Sequence, residues 1–152
     1  MMVGLGLYRW HSGRSAPDAE FVTITGEHIR LRDLRGHPVL VTFWASDCRA
    51  CLDEMPELAE LHNELSGQGF KLISVAMPYD LPSRVVALAE AEQLPYSVAL
   101  DPLGHIAETF DRVRLVPNSF LITPDGHIVM HQLGRIDARN LREKIERMLG
   151  EV

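Results

Sequence analysis

The run Pro38-Val39-Leu40-Val41-Thr42-Phe43-Trp44 constrains the fold most. It is almost continuously apolar, β-branched or aromatic, without the alternation of a strand that has one wet face. Such a strand must be covered on both faces, which predicts a central strand with helices above and below. The chain supplies one helix directly after it. Leu52, Met55, Leu58, Ala59, Leu61, His62 and Leu65 recur at helical spacing, with Asp53, Glu54, Glu57, Glu60 and Glu64 between them. Gly67 and Gly69 end that pattern, and Pro56 inside it predicts a kink.

The same two periods organise the rest. Phe21–Ile24 and His28–Leu31, around Gly26, read as a short hairpin, and Leu31–Gly36 as one helical turn ending at glycine. Leu72–Met77 is a second buried strand. After a loop at 78–82, Ser83 is the expected cap of a helix carrying Val85, Val86, Leu88 and Ala89. Ser97–Leu100 is a strand, Asp101–Gly104 a turn and His105–Phe110 a short helix. Ser119–Thr123 and Ile128–Leu133 flank the hairpin turn Pro124-Asp125-Gly126-His127. His131 and Gln132 mark the second of these strands as an edge. Asp137 opens a last helix with Leu141, Ile145, Met148 and Leu149 as its stripe. Strands alternating with helices predict an α/β fold with parallel pairing, and the closing hairpin makes the sheet mixed.

At 152 residues the chain is the size of one domain, and it needs no metal or disulfide to be stable. A net charge of −6 argues against nucleic acid as a partner, since phosphate backbones would be repelled. The first residues, through Trp10, are too short an apolar stretch to span a bilayer and lack the basic start of a secretory signal. A flexible tail is expected over 1–16. The alternative is the remnant of an anchor, because Tyr8, Arg9 and Trp10 suit a membrane interface. His11–Glu20 reads as a linker, and the domain as 17–152.

There are two cysteines, Cys48 and Cys51, placed where the central strand ends and the amphipathic helix begins. The free N–H groups and dipole of a helix start stabilise a thiolate there. Spacing of i, i+3 puts both thiols on one face, close enough to bridge. Cys48 can then attack a disulfide and Cys51 resolve the mixed disulfide. Arg49 should lower the Cys48 pKa and Asp47 raise it. A structural disulfide would close too small a loop to remove much chain entropy. A zinc site lacks a second cysteine pair, and His62, His105, His127 and His131 have no metal spacing. Two ordinary buried cysteines remain open as a reading, though the strand-to-helix position counts against it.

Phe43-Trp44-Ala45-Ser46-Asp47-Cys48-Arg49-Ala50-Cys51 resembles the active-site segment of thioredoxin-fold proteins. Glu54-Met55-Pro56 looks like the branch that includes TlpA, ResA and the cytochrome c maturation thioredoxins. Val116-Pro117-Asn118-Ser119-Phe120 with Pro124-Asp125-Gly126 is similar to that branch's cis-proline strand and hairpin. The resemblance spans about Pro17 to Leu149. It implies a thioredoxin-like fold with an amino-terminal hairpin extension (Phe21–Gly36) and an inserted strand and helix (Pro95–Phe110).

It also implies roles. Cys48 would be the exposed nucleophile and Cys51 the buried resolving thiol, with no cofactor beyond their disulfide. Pro117 would be cis, packed beside the sulfurs, with the Val116 backbone pairing to substrate. Trp44, Asp47 and Arg49 would complete the substrate rim, although Trp44, Phe43 and Met55 suit core packing better. Thr42 stands where thioredoxins carry a buried aspartate, and Glu54 is similar to the acid that takes over in ResA-like proteins. The competing reading of Glu54 is a solvated helix residue. Asp47 stands where the family has a bulky residue.

The implied activity is thiol–disulfide exchange with protein cysteines, more as a reductant, for example of cytochrome c apoproteins or copper-site proteins. The implied setting is the periplasm or another extracytoplasmic face, with an upstream membrane electron donor, a membrane tether in the full-length form and a monomeric state. Two other classes compete. A peroxiredoxin-like peroxidase would want a threonine three residues before the reactive cysteine, where this chain has Ala45. A copper-binding module would use the two thiolates as soft ligands.

Overall fold

The computed structural model describes residues 13–150. Its strands are β1 (Arg14–Ser15), β2 (Glu20–Thr23), β3 (His28–Arg30), β4 (Val39–Trp44), β5 (Lys71–Ala76), β6 (Ser97–Leu100), β7 (Asn118–Ile122) and β8 (His127–Leu133). The helices are α1 (Arg49–Leu65), α2 (Pro82–Ala91), α3 (His105–Thr109) and α4 (Ala138–Gly150). A single 3-10 turn, Leu31–Leu34, leads into β4. None of the helices among the described residues is long and apolar enough to cross a membrane.

The strands form one mixed sheet in the order β1-β8-β7-β4-β5-β6-β2-β3. The run from 39 to 44 is central, as its composition demands: β4 is buried at all six positions, parallel to β5 and antiparallel to β7. One face carries Leu40, Leu72, Val98 and Leu121 against α1, α2 and α4. The other carries Val41, Phe43 and Val75 against α3 and the hairpin residue Phe21. Phe43, Phe110 and Phe120 meet edge to face there, with centroids 5.1–6.0 Å apart. Each large side chain buried in this way contributes about 1.5–3 kcal/mol. The core is predominantly apolar, with a few hydrogen-bonded polar groups such as Asp101 inside it.

Two local expectations change. Ser83 caps nothing: the N-cap of α2 is Leu81, two residues earlier, and the helix starts at Pro82, whose fixed φ and missing N–H suit the first helical position. The stretch 11–20 is not linker throughout. Arg14 and Ser15 pair with Ile128 and His127, so β8 is an edge only beyond that pairing. Gly13 permits this approach, because a Cβ there would collide with the Ile128 carbonyl. Arg14 also forms an ion pair with Asp111, in the segment leading to Pro117. Residues 1–12, where a tail or anchor remnant was expected, lie outside the described residues. Pro56 lies inside α1, which runs unbroken from Arg49 to Leu65.

Candidate active site

The site is built where two parallel strands end side by side. Trp44 closes β4 in register with Ala76 of β5, so the loops that follow both strands are neighbours. On the other side, β7 pairs with β4 up to Phe43 and Asn118. Pro117 therefore lies just past the end of that ladder, at the same end of the sheet as Cys48.

Cys48 is the N-cap residue of α1, with an extended backbone. Its N–H donates to the Ala45 carbonyl at 3.1 Å, which tightens the turn out of β4. Cys48 and Cys51 are joined by a disulfide, with their Cα atoms 5.2 Å apart. The Cys51 N–H donates to Cys48 Sγ at 3.2 Å, so a free helix-start donor is aimed at the sulfur that would carry a thiolate. Cys48 is half-buried, whereas Cys51 is only 2% exposed and packs with Trp44 and Met55.

Glu54, one turn beyond Cys51, is 1% exposed rather than solvated. Its Oε2 accepts the Ile136 N–H at 3.1 Å, just ahead of α4. Burial pushes its carboxyl pKa up to about 7, against the smaller opposing effects of that hydrogen bond and of Arg135. Tyr96 is buried too, and desolvation and the Glu54 charge push its phenol well above the usual range.

The Val116–Pro117 peptide bond is cis, and Pro117 is buried. The Pro117 carbonyl accepts the Gly134 N–H at 2.8 Å, tying the proline to the end of β8. Val116 is half-buried and packs against both cores, one of which also receives Cys48. Trp44 is 3% exposed, which makes its side chain part of the core beneath the disulfide rather than of the rim. Its indole N–H meets no acceptor among the described residues.

Arg49 and Asp47 divide differently from their sequence positions. Arg49 is exposed and pairs along the helix with Asp53 at 3.3 Å, so its charge is partly compensated. Asp47 is exposed and makes no ion pair among the described residues. A second carboxylate comes from the loop after β5, where sequence reasoning marked no site residue. Asp80 accepts the Ser46 N–H at 2.6 Å and the Ser46 Oγ–H at 2.7 Å. Its signal was the parallel pairing itself, which places residues just after β5 beside those just after β4. Burial, and after it the charges of Asp47 and Asp80, push the Tyr79 phenol up.

Thr42 Oγ1 is 2.8 Å from Ser119 Oγ, a buried hydroxyl pair between β4 and β7. The fully buried Ala45 occupies the third position before Cys48. Neither position offers a donor to a peroxide at the sulfur. Among the described residues no group of three or more histidine, cysteine or acidic side chains is arranged to hold a metal ion.

Residues 12–131 match the sequence profile of the AhpC/TSA family, well over half of the chain. The chain belongs to the AhpC/TSA family. Within this family it resembles curated thiol–disulfide oxidoreductases. ResA of Bacillus thuringiensis subsp. konkukian is 29% identical over 136 residues, covering 90% of this chain and 78% of ResA. The thioredoxin-like protein YneN of Bacillus subtilis is 28% identical over 94% of this chain and 88% of its own. Among solved structures, StoA of B. subtilis superposes with a TM-score of 0.73 at 25% identity, covering 86% of this chain and 98% of StoA. The thioredoxin domain of a thiol-disulfide oxidoreductase from Bacteroides vulgatus gives 0.77 at 25%, covering 90% and 96%. The AhpC/TSA chain described above is thus a thioredoxin-like thiol–disulfide oxidoreductase, with the fold and resemblance that its motif predicts.

Proposed function

We propose that the chain reduces disulfides of other proteins, through Cys48 as nucleophile and Cys51 as resolving thiol. The observation that carries this reading is the disulfide at the start of α1, one residue half-buried and the other enclosed, with a buried carboxylate one helical turn further on. In the reduced protein, the Cys48 thiolate attacks one sulfur of a substrate disulfide. A mixed disulfide forms and the first substrate thiolate leaves. Cys51 then gives up its proton and attacks Cys48 Sγ, which forms Cys48–Cys51 and releases the second substrate thiol. Two electrons pass to the substrate, and an external dithiol must return them. Glu54, one turn beyond Cys51 and with its pKa raised toward neutrality by burial, would take the Cys51 proton. The backbone at Val116, held by Pro117, would align the substrate chain, and Asp47 and Arg49 would border it.

The charge around the site supports a reductive direction. Arg49 is occupied by Asp53, whereas Asp47 and Asp80 carry no compensating cation among the described residues. Negative charge disfavours a thiolate at Cys48, and oxidants of this chemistry are strong because their reduced form is stabilised. This supports reading the protein as a reductant. By likeness to ResA, that role belongs outside the cytoplasm, with a membrane donor of electrons, a membrane tether in the full-length form, and cytochrome c apoproteins or copper-site proteins as substrates. We read the acting form as a monomer.

Cys51→Ser tests the assignment. Incubated with disulfide-bonded protein substrates, this variant should accumulate a mixed disulfide at Cys48 that reductant releases. If no such species forms while Cys48 remains alkylatable, the reading is wrong.

A further inference from the structure

We propose that Asp80 is the positioning residue of the exchange site: its carboxylate fixes the loop that presents Cys48, and its charge sets how readily Cys48 ionises. The proposal rests on the exchange reading above. Ser46 and Asp80 are 34 residues apart in sequence, yet one carboxylate takes both hydrogen bonds that Ser46 offers, at 2.6 and 2.7 Å. Hydrogen bonds to an ionised acceptor are roughly twice as strong as neutral ones, and two from one residue also fix its orientation. Ser46 is two residues before Cys48. Its backbone and hydroxyl are thus anchored to the β5–α2 loop, while the Cys48 N–H is anchored to Ala45. Between them, these contacts decide where the sulfur meets the Cys51 N–H.

The surrounding charges make Asp80 count electrostatically as well. On the loop itself stands Asp47, and on α1 Arg49 is paired with Asp53. From the β5–α2 loop come Tyr79 and Asp80. From deeper in α1 comes Glu54. Around Pro117, Arg114 is paired with Glu108 and Arg135 with Glu57. Asp80 makes no ion pair among the described residues; Arg84, exposed in the first turn of α2, is the cation next to it in sequence and also makes none. Its role is therefore twofold and the two parts are separable. The clamp speeds exchange by holding the sulfur in place, and the charge keeps Cys48 protonated to a higher pH and the pair more reducing.

Two variants separate them. Asp80→Asn keeps the shape and an acceptor oxygen but removes the charge. Asp80→Ala removes both. Three readouts apply: the pH midpoint of Cys48 alkylation in the reduced protein, the Cys48–Cys51 reduction potential, and the rate of exchange with a disulfide-bonded peptide. Asp80→Asn should lower the alkylation midpoint and raise the potential, by about 30 mV for each tenfold change in the equilibrium constant, with most of the exchange rate retained. Asp80→Ala should lose about tenfold or more in rate, which Asp80→Asn restores. Ser46→Ala, which deletes only the hydroxyl bond, should fall between and covers the case in which Asp80→Ala does not fold. An unchanged midpoint and potential in Asp80→Asn, or a full rate in Asp80→Ala or Ser46→Ala, overturns the proposal. A wild-type protein that exchanges nothing, yet whose Cys48 midpoint still moves in Asp80→Asn, would sink the exchange reading while leaving the electrostatic part standing.

Discussion

Glu54 shows how far one side chain can be read before the chain folds. Its place one turn after Cys51 singles it out, but its burial does not follow from α1 alone, which carries several acids at similar spacing. Burial comes from α4, whose approach brings the Ile136 N–H onto a carboxylate 82 residues away. Pairings at that separation leave no local periodicity. Asp80 escaped notice for the same reason, since its partner Ser46 lies on another loop. The Glu54 pKa, raised from 4.5 to about 7, has a consequence for stability. The folded state holds the proton more tightly than the unfolded state. The stabilisation is therefore complete below about pH 4.5 and is lost as pH rises through about 7. The amplitude is up to about 3 kcal/mol at 1.36 kcal/mol per unit. Denaturant titrations at several pH values should show this loss in the wild type and a flatter profile in Glu54→Gln. Wild-type and variant profiles that coincide would remove Glu54 from the titration. In exchange assays, Glu54→Gln should also lose about 10²-fold in rate, together with the pH dependence near neutrality.

At the scale of elements, patterns that repeat within a segment were legible and contacts that close a segment were not. The buried strand at 39–44, the amphipathic α1 and α4, and the hairpin around Gly126 follow from period and turn chemistry. The start of α2 was misread because Ser83 is a good cap in isolation, whereas Pro82 fixes the first turn without one. The edge at β8 holds at His131 and Gln132, and the pairing at its start was missed because β1 is only two residues long, below what periodicity can detect. For α3, five residues long, propensity says little. It is held by Asp101, a buried carboxylate that accepts the Ile106 N–H at 3.1 Å and the Ala107 N–H at 2.9 Å. Asp101→Ala should cost about 1–2 kcal/mol, as for the loss of a helix cap, read as a lower denaturant midpoint. Proton exchange at Ile106 and Ala107 should accelerate alongside it. An unaltered midpoint would mean that α3 is held by Ile106 and Ala107 packing alone.

Taken whole, the molecule separates stability from chemistry. Both faces of the sheet are packed by apolar side chains, and the disulfide sits at the end of the sheet, outside the ladders that hold it together. A ring this small removes about 2 kcal/mol or less of unfolded-state entropy. The reduced protein and the Cys48→Ser, Cys51→Ser double variant should therefore stay folded, with a melting temperature lowered by less than about 8 °C. Unfolding on reduction would make the bond a structural staple. The fold class was legible at this scale because the strand–helix alternation and the motif agree. Whether the pair gives or takes electrons was not, because the proposed determinants, Asp80 on Ser46 and the Arg49–Asp53 pairing, are products of the fold. The most direct test is therefore a redox titration of Cys48–Cys51 against a dithiol–disulfide buffer. A reversible two-electron transition at about −270 mV or lower is expected for a reductant; a value near −120 mV, or a bond that no such buffer opens, would contradict it.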